Sequence, residues 1–166
     1  MPVAGAICWA CAAILGLFLP ADRAAVTLLV CCALITPFSL FIAGLFHEKL
    51  VGRANELGRL MGRSMLMTNL FWAVAVPFWF ADPSSLPLTA GILMGLQWIV
   101  LGWIIQHWIG LVHAVLRTAL VVTAWCLFPQ HRFLVVPAVI VAMYVFSICV
   151  LASRSLPESP AALSQP

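Results

Sequence analysis

The sequence predicts an all-α fold, a polytopic transmembrane helical bundle of about six spans. Three observations lead there. Of 166 residues, 64% are hydrophobic and 8% charged; the mean hydropathy is +1.13; and uncharged apolar runs of crossing length recur between short polar breaks. Soluble domains average about 45–50% apolar and about 25% charged residues. A chain of this length still exposes about a third of its unfolded surface when folded, so the apolar surplus requires lipid as solvent. The length fits one domain, and a scattered net charge of +3 excludes a nucleic-acid footprint.

A hydrocarbon layer of about 30 Å takes about 20 helical residues. The first apolar run, 3–19, stops at Pro20-Ala-Asp22-Arg23, and the second, 24–46, ends at His47-Glu48-Lys49. A polar stretch to Ser64 follows, then a third span over 65–81, closed by Asp82-Pro83-Ser84-Ser85. From Leu86 to Phe128 the chain is apolar for 43 residues, twice a crossing. The turn is expected at Gln106-His107-Trp108-Ile109-Gly110, giving spans 86–105 and 111–128. Pro129-Gln130-His131-Arg132 turns the chain into the last span, 133–152. Residues 1–152 thus form one transmembrane domain. The tail, 153–166, has four Ser and three Pro and reads as a disordered cytoplasmic segment. The first run has no Lys or Arg before it and is long for a signal-peptide core, so it reads as a retained helix.

Basic residues set the orientation. With six spans, one side holds Lys49, Arg53, Arg59, Arg63, Arg117 and Arg154, against Arg23 and Arg132 on the other. The expectation is a multi-pass protein with both termini in the cytoplasm.

The six cysteines invite a metal or redox reading. Cys8 and Cys11 form a C-x-x-C, Cys31 and Cys32 are adjacent, and Cys126 and Cys149 stand alone. All lie inside apolar runs, whereas structural zinc sites draw closed tetrahedral ligand sets from polar loops. Buried thiols act as small hydrophobes, so packing is the expectation, with no metal site and no cofactor. The tryptophans, notably Trp72, Trp79, Trp98, Trp103, Trp108 and Trp125, read partly as an interfacial belt. His47, His107 and His131 fall at span ends.

His113 differs, because Arg117 follows it by four residues on the same helix face. Ionisable groups within a span face protein or water-filled space and are functional candidates; the plainer alternative is that Arg117 snorkels to the head groups. Gln97 and Asn69 are costly polar groups at membrane depth, expected to face other helices. Glu56, in the polar loop, is the acid on the same side as Arg117 that is expected to pair with it, above His113. The candidate cluster is therefore Glu56, Gln97, His113 and Arg117.

No Asp or Glu lies within a span, and no G-x-S-x-G, H-E-x-x-H or phosphate-binding glycine loop appears. No catalytic residue is assigned. The segments Pro37-Phe38-Ser39-Leu40-Phe41-Ile42-Ala43-Gly44, Asn55-Glu56-Leu57-Gly58, Asn69-Leu70-Phe71-Trp72 and Leu86-Pro87 resemble an uncharacterised bacterial family of small multi-helix membrane proteins, a domain of unknown function. The likeness spans about residues 15–150. It implies the bacterial inner membrane and brings no ligand or catalytic residue. Three functions fit. The leading one is a non-enzymatic membrane protein acting through self-association or a membrane partner, with Gly91/Gly95 and Gly58/Gly62 at the spacing of close helix approach. The second is a small homo-oligomeric transporter or channel for a neutral or anionic solute, lined by Gln97, His113 and Arg117. The third is a membrane enzyme or haem carrier using His107 or His113. Apart from the lipid bilayer and these associations no partner is expected, and no nucleic acid.

Overall fold

The computed structural model describes residues 2–45, 56–70 and 72–154. Among them the chain is helical throughout, as α1 (Pro2–Phe18), α2 (Ala21–Leu45), α3 (Glu56–Leu70), α4 (Trp72–Ala81), α5 (Leu86–Ile104), α6 (Ile109–Leu127) and α7 (Arg132–Ala152), with a short 3-10 turn at Pro83–Ser85. Five stretches are long and apolar enough to cross a membrane, with α3 and α4 counted together as Gly58–Ala81; the shorter apolar α1 makes a sixth helix. The loop basic residues Lys49 and Arg53, His47, and the tail from Ser155 lie outside the described residues.

Boundaries move where polar residues are good helix formers. The third span was expected from Met65, but α3 begins at Glu56. Glu, Leu, Arg and Met all have high helix propensity, and Glu56 sits at the positive end of the helix dipole. Charge breaks the apolar run here without unwinding the helix. Likewise α2 begins at Ala21, with Asp22 in its first turn.

The long apolar run breaks at Gln106, whose φ of 51° is left-handed. His107 N–H donates to Gly102 O at 2.9 Å and Gln106 N–H to Trp103 O at 3.3 Å. These two bonds make a Schellman stop with glutamine where glycine is usual. The amide of Gln106 adds a 2.6 Å bond to Trp103 O. Gly110, expected in the turn, instead lies in α6 and is buried against α5. A Cβ on Gly102 would stand 2.7 Å from Gly110 Cα, so the two backbones cross in contact.

α1 packs between α2 and α7, α5 on α6, and α6 on α7, while α3 reaches the bundle mainly through α5. The interior is built from Trp9, Leu28, Leu86, Trp98, Val121, Val136, Ile140 and Tyr144. Large apolar side chains such as Phe18, Phe41, Phe80 and Leu127 face outward, the inverse of a soluble protein and the pattern that lipid requires. One end of the bundle is clasped by polar bonds. Asp82 accepts from Ser84 N–H and Oγ–H at 2.9 and 2.8 Å. Arg132 donates to Ser84 Oγ at 2.7 Å and lies 3.8 Å over the Trp125 ring. At the other end Arg154 donates to Ile105 O at 3.1 Å, tying α7 to the α5–α6 turn.

Candidate functional site

His113 and Arg117 are both fully buried. Arg117 lies eight residues into α6, about 12 Å along a helix about 28 Å long, so it stands near the middle of the bundle. It does not snorkel. Three features of the sequence make the burial possible. Gly95 leaves the space: a Cβ there would meet Arg117 Cδ at 3.1 Å and Nε at 3.2 Å. Gly91 supplies the carbonyl, accepting from Arg117 Nε–H at 2.9 Å. Two aromatic rings face the charge, Trp9 at 5.3 Å and Tyr144 at 5.6 Å from Cζ. Within about 6 Å a desolvated cation gains up to about 2 kcal/mol from such a ring.

His113 is held just as closely. Its ring stacks on Trp98 at 3.9 Å and 14°, with the edge of Tyr144 at 5.4 Å. Nδ1 lies 2.7 Å from Ser147 Oγ. Ser147 donates its one proton to Met143 O at 2.9 Å, so it accepts from His113 Nδ1–H. Neutral His113 therefore carries its proton on Nδ1, and Nε2 is left as a lone pair. Nε2, the Trp9 indole N–H and both terminal nitrogens of Arg117 are buried without a hydrogen-bond partner. A buried cation without a counter-charge costs several kcal/mol, which makes this cluster the strongest functional candidate among the described residues.

Glu56 does not pair with Arg117. It binds its own neighbour Arg59 at 3.0 Å, with both side chains exposed, the one ion pair among the described residues. A helix starting at Glu56 brings Arg59 within one turn, while Arg117 is fully buried among α1, α5 and α7 and Glu56 is exposed.

Gln97 stands beside the cluster, half-buried, in the wall of two adjoining cavities. The larger, about 450 Å³, lies between α2, α3–α4 and α5 and is lined by Leu29, Cys32, Met65, Trp72, Val76 and Gln97. Asn69 lines it too, with Thr36 and Thr68. The smaller, about 60 Å³, shares Ile35, Thr36, Met65, Met94 and Gln97 with it and reaches Trp98 and Tyr144. Trp98, stacked on His113, and Tyr144, whose ring lies 5.6 Å from Arg117 Cζ, both line the smaller cavity and stand between it and the two buried groups.

Four residues of the cluster escaped the sequence reading: Trp9, Tyr144 and Ser147, and Trp98, which was expected in the interfacial belt. Trp98 is 4% exposed in mid-bundle because it stacks on His113. Tyr144 is the chain's one tyrosine, and with Ile140, Met143 and Ser147 it forms the buried stripe of α7. That spacing was a legible signal. The Gly91/Gly95 pair, expected to admit another helix, is occupied internally by Ile140, Val121 and Arg117. The six cysteines are free thiols, with Cys8 and Cys32 buried and Cys11, Cys126 and Cys149 exposed on the apolar surface.

Residues 1–154 match the model of a family described as a family of unknown function, DUF7010, and the chain belongs to that family. No curated protein matches it, and no solved structure does.

Proposed function

We propose that this family member is a non-enzymatic integral membrane protein that admits a small neutral or anionic solute into its helical bundle, as a transporter or channel. One observation carries the reading. Arg117 holds a permanent positive charge inside the bundle with both terminal nitrogens unpartnered, one side chain, Tyr144, away from the smaller cavity, which adjoins the one of about 450 Å³. That volume lies within the range of ligand pockets, about 300–1,000 Å³, and among the described residues no acid pairs with Arg117, Asp22 and Glu56 lying in the first turns of α2 and α3. The bundle sits in a bacterial inner membrane with both termini cytoplasmic. A reporter fused to the C-terminus tests this: periplasmic activity would overturn the orientation.

The cavity reading is tested by labelling. In a variant lacking all six cysteines, Gln97→Cys should react with a small, membrane-impermeant thiol reagent added to intact membranes. Phe41→Cys, on the exposed face of α2, should not. No reaction at position 97 would overturn the proposal.

A second reading, association with another copy or a membrane partner, is favoured by α3. Gly62 has nothing within 4 Å of where its Cβ would be, and only 18% of the most apolar 18-residue window of Gly58–Ala81 is buried. The mass of the purified particle in detergent tests it, and a monomer in every detergent and in nanodiscs would exclude self-association.

A further inference from the structure

The solute class can be narrowed, and this step rests on the solute-binding reading above. We propose that the site takes a monocarboxylate with an apolar tail, its head group on Arg117 and its tail in the cavity between α2, α3–α4 and α5.

The head group follows from the hydrogen-bond inventory. Arg117 Nε is tied to Gly91 O, which locks the guanidinium plane and leaves the edge carrying both terminal nitrogens free. Two parallel N–H donors in a fixed plane match the two oxygens of a carboxylate, a bidentate pairing that a spherical halide cannot exploit. The Trp9 N–H is a further buried donor without an acceptor. A single negative charge balances the single positive one, because the groups facing Arg117 are uncharged: Trp9 from α1, Gly91 and Gly95 from α5, and Tyr144 from α7, with neutral His113 one turn before it on α6. A dianion would leave an uncompensated charge in the dry interior.

The tail follows from the cavity. Its wall is mostly apolar, formed by Leu29, Ile35, Met65, Trp72, Val76 and Met94, and such a wall rewards hydrocarbon at about 25 cal/mol per Å² removed from water. Tyr144 joins the two places, facing Arg117 at 5.6 Å and lining the smaller cavity, which shares Ile35, Met65, Met94 and Gln97 with the larger. The site is closed, with Arg117 fully buried, so entry of the head group requires the Trp98–Tyr144 wall to give way.

The experiment uses the full chain in detergent and follows thermal unfolding and equilibrium binding with acetate, octanoate and dodecanoate. Dodecanol, which has the same tail without the charge, and sodium chloride are the controls. The expected result is stabilisation that rises from acetate to dodecanoate and is absent with dodecanol and chloride. Arg117→Gln should weaken dodecanoate binding at least about tenfold, equivalent to about 1.4 kcal/mol. Trp9→Phe, which keeps the ring and loses the N–H, should weaken it less. Equal stabilisation by all three acids would overturn the tail and leave a small free carboxylate as ligand. Equal effects of dodecanoate and dodecanol, in the wild type alone, would overturn the head-group assignment even if no Arg117 variant folds. Reaction of Gln97→Cys with the thiol reagent, without any carboxylate effect, would sink this inference and leave the solute-binding reading standing.

Discussion

Removing the hydroxyl of Ser147 should cost more than its size suggests, and a second substitution should restore the loss. Ser147→Ala deletes the acceptor of His113 Nδ1–H, a 2.7 Å bond between fully buried groups. Nε2 already has no partner, so neither tautomer then satisfies the ring. An orphaned buried donor costs about 1–3 kcal/mol. Hydrogen bonds between membrane helices average about 0.6 and reach about 1.7 kcal/mol, because the unfolded chain in lipid also finds partners. The expected loss is therefore about 1–1.5 kcal/mol, near the upper end of the membrane scale. His113→Phe keeps a flat ring against Trp98 and removes both nitrogens. Replacing both members of a buried polar pair by apolar groups is nearly neutral, so the double variant should lie within about 0.5 kcal/mol of wild type. Reversible unfolding in mixed micelles measures all four proteins. Additive losses, with the double variant less stable than Ser147→Ala, would refute the assigned hydrogen-bond direction and the claim that His113 depends on Ser147.

Gly102→Ala should destabilise severely, by more than about 2 kcal/mol as an overpacked contact, because its Cβ would meet the backbone of Gly110 and that strand of chain cannot rotate away; Gly62→Ala should stay within about 0.5 kcal/mol of wild type, and equal losses in unfolding midpoint would contradict the helix crossing. The Ser84 hydroxyl and N–H bonded to the exposed Asp82 carboxylate, with Arg132 as a lesser contributor, hold its pKa below the ordinary 3.8. A lowered folded pKa contributes stability that is present above the unfolded value and lost as pH falls through the folded one. The unfolding midpoint of wild type should therefore fall below about pH 4 more steeply than that of Asp82→Asn, and parallel acid curves would show that the clasp contributes nothing. A variant with all six cysteines replaced by alanine should remain folded with at most a few kcal/mol lost, mainly at buried Cys8 and Cys32; stoichiometric metal that is lost with Cys8 and Cys11 would overturn the packing role.

The sequence alone determined the helical class, the recurrence of helices long and apolar enough to cross a membrane, and the candidate cation. Apolar runs of crossing length announce those helices, and four-residue spacing puts His113 and Arg117 on one face of any helix. Those arguments use composition and local geometry, which survive whatever the tertiary packing turns out to be. Which way that face points is not local. Arg117 reads equally well as a snorkelling end residue or as a core residue until α1, α5 and α7 are placed around it. The opening left by Gly95, the carbonyl of Gly91 and the rings of Trp9 and Tyr144 come from positions 22 to 108 residues away in the chain. Glu56 was misassigned for the same reason: pairing by side of the membrane ignores that a helix offers a nearer partner, Arg59, one turn away. The glycine pair at 91 and 95 shows the lesson from the other side. Small residues announce a close approach, but whether the approaching group is a second copy or the chain's own arginine was decided only when the bundle closed.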